Sequence, residues 1–497
     1  MAKEENFDKK SEILYEVRYL PTEKFENGQK LEPELKNEKR PDTLFLYISI
    51  ILAEMLIVVS GANVVWTSPA LVKLYSNDTE VNPVGRPVTT MEVSMIAGLP
   101  SLSALIGTMV LPKISDFLGR KRHLLLMGLW TLLGGVALAF STKVIYVIIS
   151  RSFLGFAISG AWTIVPIYIA EICENHNRGK FGCFLGLFHQ IGHFFAFVVG
   201  PLFSLRNFSL IITAPILIFL IFFVLIPESP IYLMSKGKEK ECKEALRKFR
   251  NNKSEEDLEK DFLQIKETLK GRAEAKKANV LDLFKKRENR FALMLALLPL
   301  LVQHFSGISI IMTYLAPFFN AAGTSISGNI AAVIVSMVKI SCYIFTSFVV
   351  ERFGRRRMLL ISATGTGIPL FALGMYFYLQ YTNSDLLHFL QWLPLVAILS
   401  NVFIYSMGIG PVPMAVISEL FPSDLRAASS AVINTVVTTI VFGLTSGFPL
   451  FSEAYGIHWC VWMFSLCCFV GAILIYFFLP ETKGKSFSEI QEMLKMY

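Results

Sequence analysis

Two short stretches gather ionisable side chains where the flanking sequence is apolar. SDFLGRKRHLLL, residues 115–126, sets one acid, three bases and a histidine around Gly119. VERFGRRRMLLI, residues 350–361, repeats the design around Gly354, 235 residues further on. Acids recur with these turns at fixed spacing. Glu171 and Arg178 are seven apart, as are Glu419 and Arg426. The chemistry such groups can do is ion pairing. Asp116 and Glu351 can pair with bases of neighbouring helices, and Glu171 and Glu419 are candidate partners for the arginines. An ion pair at a helix end, in a low-dielectric setting, is strong enough to matter and can still be broken by a conformational change. The cluster therefore reads as a latch on one face; the plainer alternative is that the basic turns only fix loop orientation.

Other ionisable groups stand inside apolar runs. Glu54 is the eleventh residue of the first run and Lys339 lies midway along the eighth. Charges at membrane depth are costly and mark pathways, relays or buried pairs. A proton relay, a counter-charge for a substrate, and one member of a buried pair are all open for these two. His189 and His193 are four apart, a spacing that can hold a metal, but no local acidic or cysteine ligand accompanies them, so no metal site is expected. No nucleotide-binding loop, nucleophile constellation or cofactor motif is found, so neither an enzyme nor a primary pump is expected.

The elements that must position these residues follow from composition. Of 497 residues, 53% are hydrophobic and 17% charged, and 41 are Phe; mean hydropathy is +0.51. Soluble chains average about 45–50% apolar and about 25% charged. About twelve runs reach the roughly 20 apolar residues of a bilayer-spanning helix, beginning at 44–66 and ending at 458–479. They do not alternate, which excludes barrel strands. The net charge of +8 does not imply nucleic acid: most bases lie in the N-terminal tail, which is itself slightly acidic, in the two turns and in the stretch 228–290. Basic turns share one face, and positive loops stay cytoplasmic; both termini and the central loop are expected inside. The N-terminal tail shows no signal-peptide pattern. The seven cysteines suggest no disulfide framework. Asn77, in NDT, is a glycosylation acceptor in the long first outer loop, whereas Asn207 stands too close to the membrane.

The repeat organises the chain. The glycine turns, the Glu–Arg pairs and the motifs Pro227-Glu228-Ser229 and Pro480-Glu481-Thr482 recur in one order at spacings of 235, 248 and 253. The expected domains are a cytoplasmic tail (1–43), a six-helix half (44–227), a cytoplasmic linker with short helices (228–290), a second six-helix half (291–479) and a C-terminal tail (480–497). Parallel halves of this kind place a substrate site between them near mid-membrane. Leu258, Phe262 and Ile265 recur at helical spacing within the linker.

These residues also carry a resemblance. DFLGRKR (116–122), RSFLGF (151–156), PIYIAEICENHNRG (166–179), PESP (227–230), QHFSGI (303–308), ERFGRRR (351–357), GPVPMAVISELFP (410–422) and PETKGKSF (480–487) together resemble the sugar porter branch of the major facilitator superfamily. WTSPALVKL (66–74) looks most like the arthropod trehalose and hexose facilitators in that branch. The resemblance implies an all-α membrane fold of twelve helices in two halves, alternating access, and a mono- or disaccharide as substrate. It implies a cytoplasmic gate from Asp116, Gly119, Arg120, Arg151, Glu171, Arg178, Glu228, Glu351, Gly354, Arg355, Glu419, Arg426 and Glu481. It implies sugar contacts at Gln190, Gln303 and Tyr314 and at Asn434, with His304 standing where a second glutamine is usual and Ser309 where an asparagine is usual. Met414 and Thr435 replace tryptophans, and Lys339 falls where an amide is common. Proton-coupled members carry an aspartate where this chain has Asn63, which cannot take up a proton. Glu54, nine residues earlier, falls on the opposite helix face.

The reading is thus a facilitative carrier of hexose or trehalose in the plasma membrane, multi-pass and monomeric, with sugar and lipid as its partners and no cofactor. A proton-coupled symporter of sugar or another small solute and a non-transporting sugar sensor are the alternatives.

Overall fold

The computed structural model describes residues 42–174, 176–274, 281–349, 354–421 and 425–483, with a few isolated positions nearer the termini. Residues 25–26 and 29–30 form a minimal antiparallel pair, Phe25 opposite Lys30. The other elements of the described chain are helices.

Twelve helical spans are long and apolar enough to cross a bilayer. The first six are Leu44–Leu74, Thr90–Leu118, Arg120–Ala139, Val144–Ile172, Arg178–Leu202 and Leu205–Phe223. The second six are Arg287–Thr313, Gly328–Thr346, Arg355–Tyr381, Leu393–Ile417, Ala428–Tyr455 and Ile457–Phe478. They follow the apolar runs of the sequence and several extend beyond them, because polar residues also support helix ends. Thr89 and Glu92 close a reciprocal capping box at the start of the second span, three residues before its apolar run begins.

Several spans are broken. The first restarts at Thr67 after Val65, and the sixth at Pro215. The seventh kinks at Gly307, whose φ of +75° suits only glycine, and restarts at Leu315 after Tyr314. The tenth is interrupted between Met407 and Val412. In membranes, irregular backbone is tolerated where it is buried in protein or lines a water-filled cavity, so these breaks bear on the site.

Between the halves, the described residues from 230 to 285 supply four helices, among them Glu239–Phe249 and Glu255–Glu274. Leu258 and Phe262 are buried there, with Ile265 packed against the same core. That core continues through Cys242, Leu246 and Phe249 into the first half. Lys253 ties the linker down: its Nζ donates to Glu174 at 2.8 Å and to Asp261 at 2.9 Å.

The apolar cores are distributed unevenly. At the end away from the basic turns, residues of both halves share one core, with Trp66, Leu71 and Ile96 packed in the same cluster as Ile311, Phe318 and Val335. At the basic end each half keeps its own core. Small residues allow the closest helix approaches. A Cβ on Gly155 would lie 2.1 Å from the Pro100 carbonyl oxygen, and one on Gly192 2.1 Å from that of Val58.

Candidate functional site

The basic end of each half is built from the same parts. In the first half, Gly119 ends the second span with φ +98°. Glu228 Oε1 accepts from the backbone N–H of Lys121 at 2.9 Å and so caps the third span. Arg120 opens that helix, and its guanidinium reaches Glu171 on the fourth span at 3.2 Å and Asp116 at 3.0 Å. In the second half, the carboxylate of Glu481 accepts from the N–H groups of Arg355 (2.8 Å) and Arg356 (3.2 Å). Arg355 reaches Glu419 at 3.2 Å, and Glu419 also accepts from Thr482 at 2.5 Å. Carboxylates at helix N-termini satisfy unpaired N–H groups and complement the helix dipole. Both glycines are also needed for space: a Cβ would lie 2.3 Å from Glu228 Oε2 at Gly119 and 2.4 Å from Glu481 Oε2 at Gly354.

These pairs knit each half internally; among the described residues none bridges the two halves at this end. Arg178 is exposed and starts the fifth span, while Glu171 is engaged by Arg120 instead. Glu351 and the side chain of Arg426 lie outside the described residues. Arg151 is not part of the cluster. It sits twenty residues before Glu171 on the same helix, about 30 Å away, and its guanidinium donates to the Asn63 carbonyl at 2.5 Å and to Thr67 Oγ1 at 3.0 Å. It also lies over the Trp66 ring, 5.1 Å from the centroid. The break between Val65 and Thr67 explains the difference: a carbonyl left free there is taken by the arginine.

The halves meet at the opposite end. Tyr314 Oη donates to the Thr445 carbonyl at 2.9 Å, and Ser94 Oγ to that of Ser446 at 2.6 Å. The N–H of Ala316 donates to Ser68 Oγ at 2.8 Å. The last two cross from the second half to the first. This conformation is closed at the far end.

Between the two ends lie the expected sugar contacts. Gln190 is buried and its Oε1 has no partner. Gln303 is half-buried, its amide donating to Tyr405 Oη at 3.1 Å and to the Gly410 carbonyl at 3.0 Å, so the break in the tenth span holds it. His304 is half-buried with Nδ1 unpartnered, and Ser309 is half-buried. Asn434 and Met414 are exposed, on the eleventh and tenth spans. Tyr314 is buried in the core that both halves share, and its hydroxyl is bonded within the second half to Thr445.

Sequence reasoning missed two aromatic residues here. Tyr405 positions Gln303. Trp162, on the fourth span, donates to Ser60 Oγ at 2.9 Å and stands edge-on to His189 with centroids 4.9 Å apart. No local pattern distinguishes either from a core aromatic; only the packing of spans one, four and five does. Glu54 is fully buried and neither carboxylate oxygen has a partner.

Twelve spans in two halves, closed at one end around partly unpartnered amides and imidazoles, define a membrane carrier architecture. The chain belongs to the family described as "Sugar (and other) transporter", whose model matches residues 43–494. It is 29% identical over 460 residues to the facilitated trehalose transporter of Polypedilum vanderplanki, covering 92% of this chain and 90% of the relative. It is also 29% identical over 484 residues to that of Bombyx mori, with 96% and 93% covered. The fold is similar to the inward-open xylose transporter of E. coli, with a TM-score of 0.73 at 20% identity over 90% of this chain and 99% of that one.

Proposed function

We propose that this protein is a facilitative carrier of trehalose or a hexose in the plasma membrane, with both termini cytoplasmic, working by alternating access. The observation that carries this reading is the asymmetry of the two ends. Hydrogen bonds and one shared apolar core join the halves at the far end, while at the basic end each half has its own core and its own ion pairs. With the basic end cytoplasmic, this is an inward-facing state. Gln190, Gln303, His304, Ser309, Asn434 and Lys339 supply hydrogen-bonding groups for the substrate, with Met414 beside them and Tyr314 in the shared apolar core at the far end. Uniport is favoured over proton coupling by Arg151, whose partners are a carbonyl and a hydroxyl rather than a carboxylate.

Uptake kinetics test the site. Removing a hydrogen-bond partner costs about 1–3 kcal/mol, so Gln190→Ala and Gln303→Ala should each raise the KM for the transported sugar about ten-fold at unchanged surface level. Unchanged KM in both variants would remove these residues from the site.

A further inference from the structure

Beside Gln190 the fifth span carries two imidazoles that the sugar site does not explain. His189 and His193 lie one turn apart with ring centroids 4.5 Å apart and their planes tilted by 60°. His193 is 4% exposed, and neither of its ring nitrogens has a partner; Nδ1 of His189 also lacks one. Lys339, at the middle of the eighth span, lies one turn before Tyr343, whose hydroxyl packs against Gly186 one turn before His189, so the antiparallel fifth and eighth spans bring Lys339 level with the imidazoles. The two spans are locked in this register by Tyr343, one turn after Lys339. A Cβ on Gly186 would lie 1.7 Å from its hydroxyl oxygen. Among the described residues no carboxylate pairs with Lys339. Glu54, on the first span, has no hydrogen-bond partner at either carboxylate oxygen.

The arrangement is a cation with neutral donors and no anion, at membrane depth, where an unpaired charge persists only if something uses it. Next to it, Gln190 presents a buried acceptor with no donor. Metal binding is a poor use, because Lys339 would repel the ion. We propose that Lys339, His189, His193 and Gln190 form an anion subsite, and that this carrier takes a sugar acid: a polyhydroxylated ligand bearing a carboxylate. The carboxylate accepts from Lys339 Nζ and an imidazole N–H, while a ring hydroxyl donates to Gln190 Oε1. This deepens the sugar-carrier reading and rests on it.

The test reconstitutes the full chain in liposomes and measures uptake of labelled glucuronate and labelled glucose side by side. Saturable glucuronate uptake is expected. Lys339→Gln removes a charge-assisted bond, so the glucuronate-to-glucose uptake ratio should fall about ten-fold or more, and Lys339→Arg should restore part of it. If Lys339→Gln does not elute as a folded species on gel filtration, His193→Ala carries the same comparison and should lower the same ratio. Glucose uptake without glucuronate uptake or competition would overturn the anion subsite and leave the sugar carrier standing. Glucuronate uptake with an unchanged ratio in the lysine and histidine variants would overturn the assignment of the residues. Uptake of neither solute, with no thermal stabilisation by either, would overturn both readings.

Discussion

Ser68 should set the balance between the two faces of the carrier. Its side chain is fully buried on the first span, and its Oγ accepts the Ala316 N–H at 2.8 Å. Ala316 is the second residue of the segment Leu315–Ala322, where backbone N–H groups have no intrahelical acceptor. A serine of one half therefore caps a helix of the other, and the bond exists only while the far end is closed. In Ser68→Ala the closed state keeps a buried donor with nothing to bind, at a cost of about 1–3 kcal/mol. When the far end opens, water reaches that N–H and the cost disappears. The closed-to-open ratio should fall about 5- to 150-fold. Spin labels at Glu80→Cys and Ala321→Cys, one on each half near this end, in a cysteine-free background, would read the shift as a longer distance population. Ser68→Thr, which keeps the hydroxyl, should retain more of the short distance. An unchanged distribution in Ser68→Ala would refute the argument that this bond holds the end shut.

The two glycine turns should differ although their sequences match. Gly119 has φ +98° and Gly354 has φ −67°, so Gly119→Ala should lose about 1–2 kcal/mol more to backbone strain, seen as a lower Tm in thermal unfolding. Burial pushes the Cys242 thiol up to about 11, so its thiolate is scarce at neutral pH and grows only as pH approaches that value. Maleimide labelling at pH 7.5 should be far slower at Cys242 than at the exposed Cys183, with the gap narrowing as pH rises. For an outer first loop, Asn77→Gln should remove a glycan and shift gel mobility, whereas Asn207→Gln should not; no shift in Asn77→Gln would place that loop on the other side.

Much of the fold was legible because burial in a bilayer leaves a coarse mark. Apolar runs of about twenty residues show in sequence whatever their packing, and the Leu258, Phe262 and Ile265 spacing marked the linker helix. The partners of Arg120 and Arg355 were legible too, since Glu171 and Glu419 recur at one offset. What was not legible depends on backbone breaks and on contacts between distant spans. Arg151 sits in a motif with other charges nearby in sequence, and only the break after Val65 reveals the carbonyl it bonds. Glu228 and Glu481 marked the ends of the halves in sequence, but their capping of helices more than 100 residues away needs the three-dimensional neighbours. The expected sugar contacts come from several spans, so no single stretch shows which amides are already engaged. Gln303 is held by Tyr405 and Gly410 while Gln190 is not, and nothing in either local sequence separates them.

The most direct measurement is uptake of labelled trehalose, glucose and fructose by cells expressing this chain, with and without a protonophore and with surface level quantified. A facilitative carrier predicts saturable uptake of at least one of these sugars that the protonophore leaves unchanged. Absence of uptake of all three with the protein at the surface would contradict the account, and uptake abolished by the protonophore would contradict its uniport mechanism.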